Sequence, residues 1–216
     1  MTLITFSGLD GAGKTTLIEW LRADLERQRK PVTVLHLNDH VGIYASARAL
    51  RDRLLRRPPS DGPPRMEPSG TLLGRLRDAL LWSKVLRRLL YPADLLIFLC
   101  YRVYVEKLKR RILIMDRYFY DTLVDVTAGQ DWRRRGLWPR LLARLTPRPD
   151  LPILLEITAE EAFARKGEYT VEYLRDREIA YHRVFPWVRA PLRLPAGELE
   201  AAKGVLARTM RERLKQ

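Results

Sequence analysis

Gly8-Leu9-Asp10-Gly11-Ala12-Gly13-Lys14-Thr15 combines residue types and a spacing suited to holding a polyphosphate. The stretch fits the template G-x-x-x-x-G-K-[ST]. Its glycines let the backbone turn tightly, so that several N–H groups, those of Ala12 and Thr16 included, can face phosphate oxygens. A helix beginning at the end of the loop adds the partial positive charge of its N-terminus. Lys14 has the reach for β- and γ-phosphates of ATP, and the Thr15 hydroxyl is a ligand type for Mg²⁺. A glycine-rich turn can also arise with no ligand to serve. Here the strand before it, the Lys-Thr pair and the helix after it stand in the order that phosphate binding requires.

A second chemical pair is Asp116-Arg117, followed by Tyr118, at the end of the apolar run Ile112-Leu113-Ile114-Met115. Such a run reads as a buried parallel strand. A carboxylate at its C-terminal tip could hold Mg²⁺ or the water around it, and Arg117 could meet a transferring phosphoryl group. The competing role for Asp116 is to cap the following helix. Arg165-Lys166-Gly167-Glu168 offers further cations in a short turn, which serves equally well as a phosphate lid or as a solvated helix end.

The elements that must position these groups are legible around them. Leu3 to Ser7 reads as a buried strand, and Thr15 to Gln28 as a helix with Leu17, Ile18, Leu21 and Leu25 on one face. Val32 to Leu37 is the second strand; Asn38-Asp39-His40 after it could touch an acceptor or cap a helix over Gly42 to Arg57. Arg56 to Pro68 is rich in Pro, Gly, Ser and Arg and reads as a loop. Helical pattern runs from Thr71 to Leu90, breaks or restarts at Tyr91-Pro92, and ends near Lys109. Later come helices over Tyr118 to Val126 and Leu137 to Leu145, a strand over Leu151 to Ile157, and a capped helix starting at Thr158. A helix over Thr170 to Val184, a strand over Leu192 to Leu194 and a helix over Glu198 to Leu214 complete the chain. Strand and helix alternate about five times, which describes an α/β fold: an open parallel sheet with helices on both faces and its site at the strand C-terminal ends.

Length and composition are consistent with a single domain over 1–216, because 216 residues with a hydrophobic fraction of 46% supply one sizeable core. The net charge of +14 favours anionic partners: nucleotides, nucleic acid or an acidic surface. An Arg-rich proteome produces the same balance. No RNA-binding signature or helix-turn-helix pattern accompanies the charge. The most apolar stretch, Ala93 to Val105, is too short for a bilayer and contains Asp94 and Arg102, so no membrane partner is expected. Cys100 is the lone cysteine and reads as a buried filler. With no basic leader ahead of the first strand, the expected location is the cytoplasm.

Taken together, the chain resembles the thymidylate kinase family of P-loop nucleoside monophosphate kinases. Gly-Leu-Asp-Gly-Ala-Gly-Lys-Thr-Thr over Gly8 to Thr16 carries the acidic loop residue common in that family, at Asp10. Asp116-Arg117-Tyr118 matches its Asp-Arg-Tyr signature, and Pro149-Asp150-Leu151 through Glu156 resembles the strand that leads to its lid. The resemblance implies a three-layer P-loop fold with a five-stranded parallel sheet, a homodimer, and transfer of the γ-phosphoryl of ATP to a nucleoside monophosphate such as dTMP. It implies that Lys14 and Thr15 handle ATP and Mg²⁺, that Asp10 lies beside the acceptor, and that Arg117 clamps the acceptor phosphate. Arg165 and Lys166 fall where a short lid near 165–170 supplies a cation, which suits a loop with only Ala12 between Gly11 and Gly13. Two family segments are missing. Where the family has Arg-Glu-Pro-Gly, this chain reads Leu37-Asn38-Asp39-His40-Val41-Gly42, and no Ala-Asp-Arg motif is present, Arg102 being a loose positional counterpart. Both belong to the thymidylate pocket. A kinase for another small phosphate or hydroxyl acceptor, and a basic P-loop ATPase that engages nucleic acid, are the alternative functions.

Overall fold

Every residue of the first strand, β1 (Leu3–Gly8), is buried. Its apolar side chains can be covered on both faces, which is what a central parallel strand requires. The computed structural model describes residues 3–36, 84–129 and 137–214. The expectations placed on 37–83, Asp39, His40 and the Arg56 to Pro68 loop among them, lie outside the described residues.

Chain contacts divide the molecule into two units, 1–37 with 102–216, and 38–101. The first contains a five-stranded sheet in the order β2-β3-β1-β4-β5, with β2 (Val32–His36), β3 (Ile112–Asp116), β4 (Leu151–Glu156) and β5 (Leu192–Pro195). All four pairings are parallel. Phe6 and His36 both stand in register with Asp116, and Gly8 with Leu155. From β1 the chain moves to one side to make β2, whereas β4 and β5 lie on the other. The loop after β1 therefore opens at the switch point, where ligands of such sheets bind.

The helix α1 (Lys14–Arg27) buries Leu17, Ile18, Leu21 and Leu25, as its spacing requires. It packs against the C-terminal helix α7 (Leu199–Leu214). The helices α3 (Phe119–Thr127), α5 (Ala159–Lys166) and α6 (Val171–Val184) pack together as a second group, α3 touching both α6 and β1. This is the three-layer α/β arrangement. A shorter helix, α4 (Trp138–Leu145), starts with Pro139 in its first turn. Thr158 caps α5 by accepting the Glu161 N–H at 3.2 Å, and Thr170 caps α6 by accepting that of Tyr173 at 3.3 Å.

Two expectations need correction. The helix α2 (Lys84–Val103) runs through Tyr91-Pro92 without a break. Proline removes one helical hydrogen bond, and a twenty-residue helix can absorb that loss. Cys100 is exposed rather than buried. Apolar residues lie all around this part of α2, so apolar neighbours in sequence do not identify the covered face; Phe98 is buried while Leu96 and Leu99 are exposed.

Candidate active site

The loop from Gly8 to Gly13 turns on three glycines with positive φ, which side-chain-bearing residues rarely adopt. Gly11 illustrates why. A Cβ there would lie 2.8 Å from the Ala162 carbonyl oxygen, because α5 packs directly onto the loop. Ala12 is buried, and Gly13 is the residue from which α1 departs. Thr15 and Thr16 are exposed on the first turn of α1, where backbone N–H groups have no partner within the helix.

Lys14 is buried, and its ammonium donates to the Gly8 and Leu9 carbonyl oxygens, each at 2.8 Å. It lies 3.6 Å from Asp10 Oδ1. Burial pushes the Lys14 ammonium below its ordinary range, with the Asp10 charge opposing. Arg117 reaches the same Asp10 oxygen from the tip of β3 through an ion pair. It is held there by backbone geometry: φ is 65°, and its N–H donates to the Phe6 carbonyl at 2.9 Å. Burial alone would raise the Asp10 carboxyl, but Arg117 and Lys14 outweigh it and hold the group at about 2. One carboxylate thus gathers two cations at the mouth of a phosphate loop. An arriving phosphate would find both charges within a single pocket.

Asp116 lies one residue before Arg117. Its Oδ2 is 3.0 Å from Nδ1 of His36, at the tip of β2. Its Oδ1 is buried and has no hydrogen-bond partner among the described residues. An orphaned carboxylate oxygen calls for a partner, and a hydrated cation is one. The Thr15 hydroxyl and the Asp116 carboxylate are both oxygen donors, the ligand type that Mg²⁺ takes alongside water and substrate phosphates. No group of three or more His, Cys, Asp and Glu that could hold a metal by itself occurs among the described residues. The capping role considered for Asp116 falls instead to Asp121, whose Oδ2 accepts the Tyr118 N–H at 2.8 Å.

Arg165 and Lys166 are not joined to this cluster. The Arg165 guanidinium donates to the Ala196 carbonyl just after β5 at 2.9 Å, and Lys166 pairs with Glu168 at 3.1 Å. Arg102 is further removed. It bonds Glu106 and the Arg148 carbonyl and approaches Asp150, all near the start of β4, at the opposite end of the sheet from the loop.

The structure adds residues that the motifs did not mark. Tyr169, in the turn between α5 and α6, stacks on Tyr173 with ring centroids 4.9 Å apart. Burial raises its hydroxyl, and the Asp10 charge raises it further, which places Tyr169 within electrostatic reach of the loop. Arg177 is buried and pairs with Asp125 of α3, and it donates to the Tyr173 hydroxyl at 2.9 Å. Tyr181, one turn on, meets Asp121. The available signal was a polar stripe, Tyr173, Arg177 and Tyr181, recurring every four residues on α6. Beside the loop, a cleft lined by Leu9, Glu156, Thr158, Glu161, Glu178 and His182 carries three carboxylates. Its carboxylates disfavour phosphate there, although Glu156 is paired with Arg193 at 3.0 Å.

The chain is 31% identical over 201 residues to the thymidylate kinase of Thermomicrobium roseum, an alignment that covers 87% of this chain and 79% of that protein. It belongs to the thymidylate kinase family. A probable thymidylate kinase of Methanosphaera stadtmanae is 30% identical over 75% of this chain and 70% of its own length. The corresponding figures for a probable thymidylate kinase of Pyrococcus abyssi are 29%, 75% and 68%. No family model matches the chain. Membership of this family makes it a nucleotide kinase. No helix among the described residues is long and apolar enough to cross a membrane.

Proposed function

We propose that this protein transfers the γ-phosphoryl group of ATP to a nucleoside monophosphate, with dTMP as the preferred acceptor, the whole chain serving as one kinase. The observation that carries this reading is the convergence of Lys14 and Arg117 on Asp10, from the loop after β1 and from the tip of β3. Donor phosphates would lie on the N–H groups of Gly11 to Thr16, with Lys14 released from the loop carbonyls to meet them. The acceptor phosphate would lie against Arg117, and Asp10 beside the acceptor. Thr15 and Asp116 would hold Mg²⁺, which when bound neutralises charge on the phosphate oxygens.

An acceptor phosphate oxygen then forms the new P–O bond, the β–γ bridging bond breaks, and its electron pair stays on the β-phosphate of ADP. A phosphate monoester is already a nucleophile, so the chain needs no strong base. Its work is to align the two phosphates and to balance their charge. The turn near 165–170 would act as a short lid, with Arg165 and Lys166 supplying a cation on closure. Closure would require Arg165 to leave the Ala196 carbonyl.

dTMP is the preferred acceptor because the relatives that align over most of the chain are thymidylate kinases by name. The altered segment over Leu37 to Gly42 favours keeping another small phosphate or hydroxyl acceptor as the second reading. ADP release should be measured with MgATP alone and with dTMP, dUMP, dCMP, dGMP, UMP and AMP. The expected result is turnover with dTMP about 100-fold or more above the acceptor-free rate. Acceptor-independent turnover would overturn the kinase reading, and preference for another monophosphate would overturn dTMP alone.

A further inference from the structure

His36 and Asp116 face each other across the tips of β2 and β3. They stand in register, so their side chains leave the sheet on the same face, and Phe6 of β1 completes the row. The His36 Nδ1 is 3.0 Å from Asp116 Oδ2. An ionised carboxylate only accepts hydrogen bonds, so Nδ1 carries the hydrogen of this pair. Asp116 Oδ1 is buried and has no hydrogen-bond partner among the described residues. The two oxygens of one carboxylate are therefore unequal. One is tied to β2, and a cation arriving at the other would displace no protein donor.

Asp116 also belongs to the surroundings of the phosphate loop. Burial lowers the Lys14 ammonium, and the Asp116 charge joins that of Asp10 in opposing the shift. The backbone beside it is fixed, since the Arg117 N–H donates to the Phe6 carbonyl at 2.9 Å. A fixed backbone still leaves a carboxylate free to swing about χ1 and to turn about χ2. Carboxylates that serve a metal are themselves held by hydrogen bonds from behind. Among the described residues, His36 is the side chain that donates to Asp116.

We propose that His36 is a positioning residue for the metal ion that accompanies the nucleotide: its Nδ1–H holds Asp116 Oδ2, so that Oδ1 is presented to the cation or to a water of its shell. The inference rests on the kinase reading, in which Asp116 helps to hold Mg²⁺. It adds a residue of β2 to that site, as a donor to the carboxylate and not as a ligand. The His36 side chain is 43% exposed, so it can be replaced without opening the core.

The test uses the full chain with ADP and Mn²⁺ as the probe, bound Mn²⁺ being read by electron paramagnetic resonance. His36→Ala should weaken Mn²⁺ binding to the ADP-loaded chain about tenfold, with ADP affinity in EDTA unchanged. His36→Asn, whose amide N–H can stand where Nδ1 stands, should recover most of the loss. Charge does not account for this pattern, because removing a positive ring would tighten cation binding rather than weaken it. A histidine that only packs β2 against β3 would lower Tm and leave Mn²⁺ affinity at the parent's value. Equal or tighter Mn²⁺ binding in His36→Ala overturns the proposal. So does a directly bonded ¹⁵N coupling to Mn²⁺ in the ¹⁵N-histidine parent that His36→Asn loses, since His36 would then be a ligand itself. A parent that binds ADP without Mn²⁺ removes the metal role of Asp116 and this inference with it. A parent that binds no ADP overturns the kinase reading as well. Should His36→Ala fail to fold, His36→Leu keeps the bulk, removes the donor and carries the same comparison.

Discussion

Asp10 carries the most electrostatic work of any single residue in the site. Its carboxyl is lowered from 3.8 to about 2 by Arg117 and Lys14. A group whose folded pKa is depressed stabilises the fold above its unfolded value, and that stability is lost as the pH falls through the folded value. Asp10 therefore contributes about 2 kcal/mol above pH ~4, fading toward pH ~2. Asp10→Asn should flatten the acid limb of an unfolding curve within that window, as measured by urea denaturation at a series of pH values. An unchanged limb would mean that the ion pair is not formed in solution. Arg117 poses a different question. A planar guanidinium presents a fork that an ammonium lacks, so Arg117→Lys should lower kcat/KM about tenfold or more. A rate equal to the parent's would reduce Arg117 to a residue that packs the end of β3.

Two glycines at the element scale separate local strain from packing. Gly11 and Gly13 both have positive φ, 93° and 84°. A Cβ on Gly13 meets nothing within 4 Å, whereas one on Gly11 meets the backbone of α5 at 2.8 Å. Gly13→Ala should therefore cost only backbone strain, about 1 kcal/mol, and Gly11→Ala should cost about 2–3 kcal/mol because α5 must also shift. Chemical denaturation of the two variants side by side measures the difference. Equal losses would show that α5 does not press on the loop. The turn between α5 and α6 belongs to this scale too. With Arg165 on the Ala196 carbonyl, lid closure should protect residues near Gly167 from protease when an ATP analogue and dTMP are both present, with less protection from either alone. Cleavage that ignores both ligands would place the catalytic cation elsewhere.

At the scale of the whole molecule, ligand binding and folding are linked. A ligand that binds only the native state adds about 2.7 kcal/mol at a hundredfold excess over its Kd. For a chain of this size that corresponds to a rise in Tm of roughly 5–10 °C. MgATP should produce it in a thermal scan, and Lys14→Ala should abolish it when each scan is compared with the same variant's unliganded Tm. The net charge of +14 makes non-specific polyanion binding a competing cause of such a shift. That contribution should vanish as salt is raised, whereas the loop's specific contacts should keep most of theirs.

Local patterns were enough to reveal much of this chain. Gly8 to Thr15 announced a phosphate loop, the run Ile112 to Met115 announced a strand ending in Asp116-Arg117, and Thr158 announced a helix start. Each of these signals lies within a few residues of its cause: a turn that needs glycine, a face that needs burial, an N–H that needs a cap. The same locality sets the limit of such signals. An apolar context around Cys100 could not say which face of α2 is covered, and a basic turn at Arg165 could not say where its guanidinium points. The strand order and the site's wiring join residues far apart in sequence: Asp10 with Arg117 across 107 positions, Ser7 with Asp121 across 114, and Gly8 with Tyr181 across 173. Only the tertiary structure decides such pairings, because a hydrogen bond depends on distance in space, and sequence spacing measures that distance only within a single element.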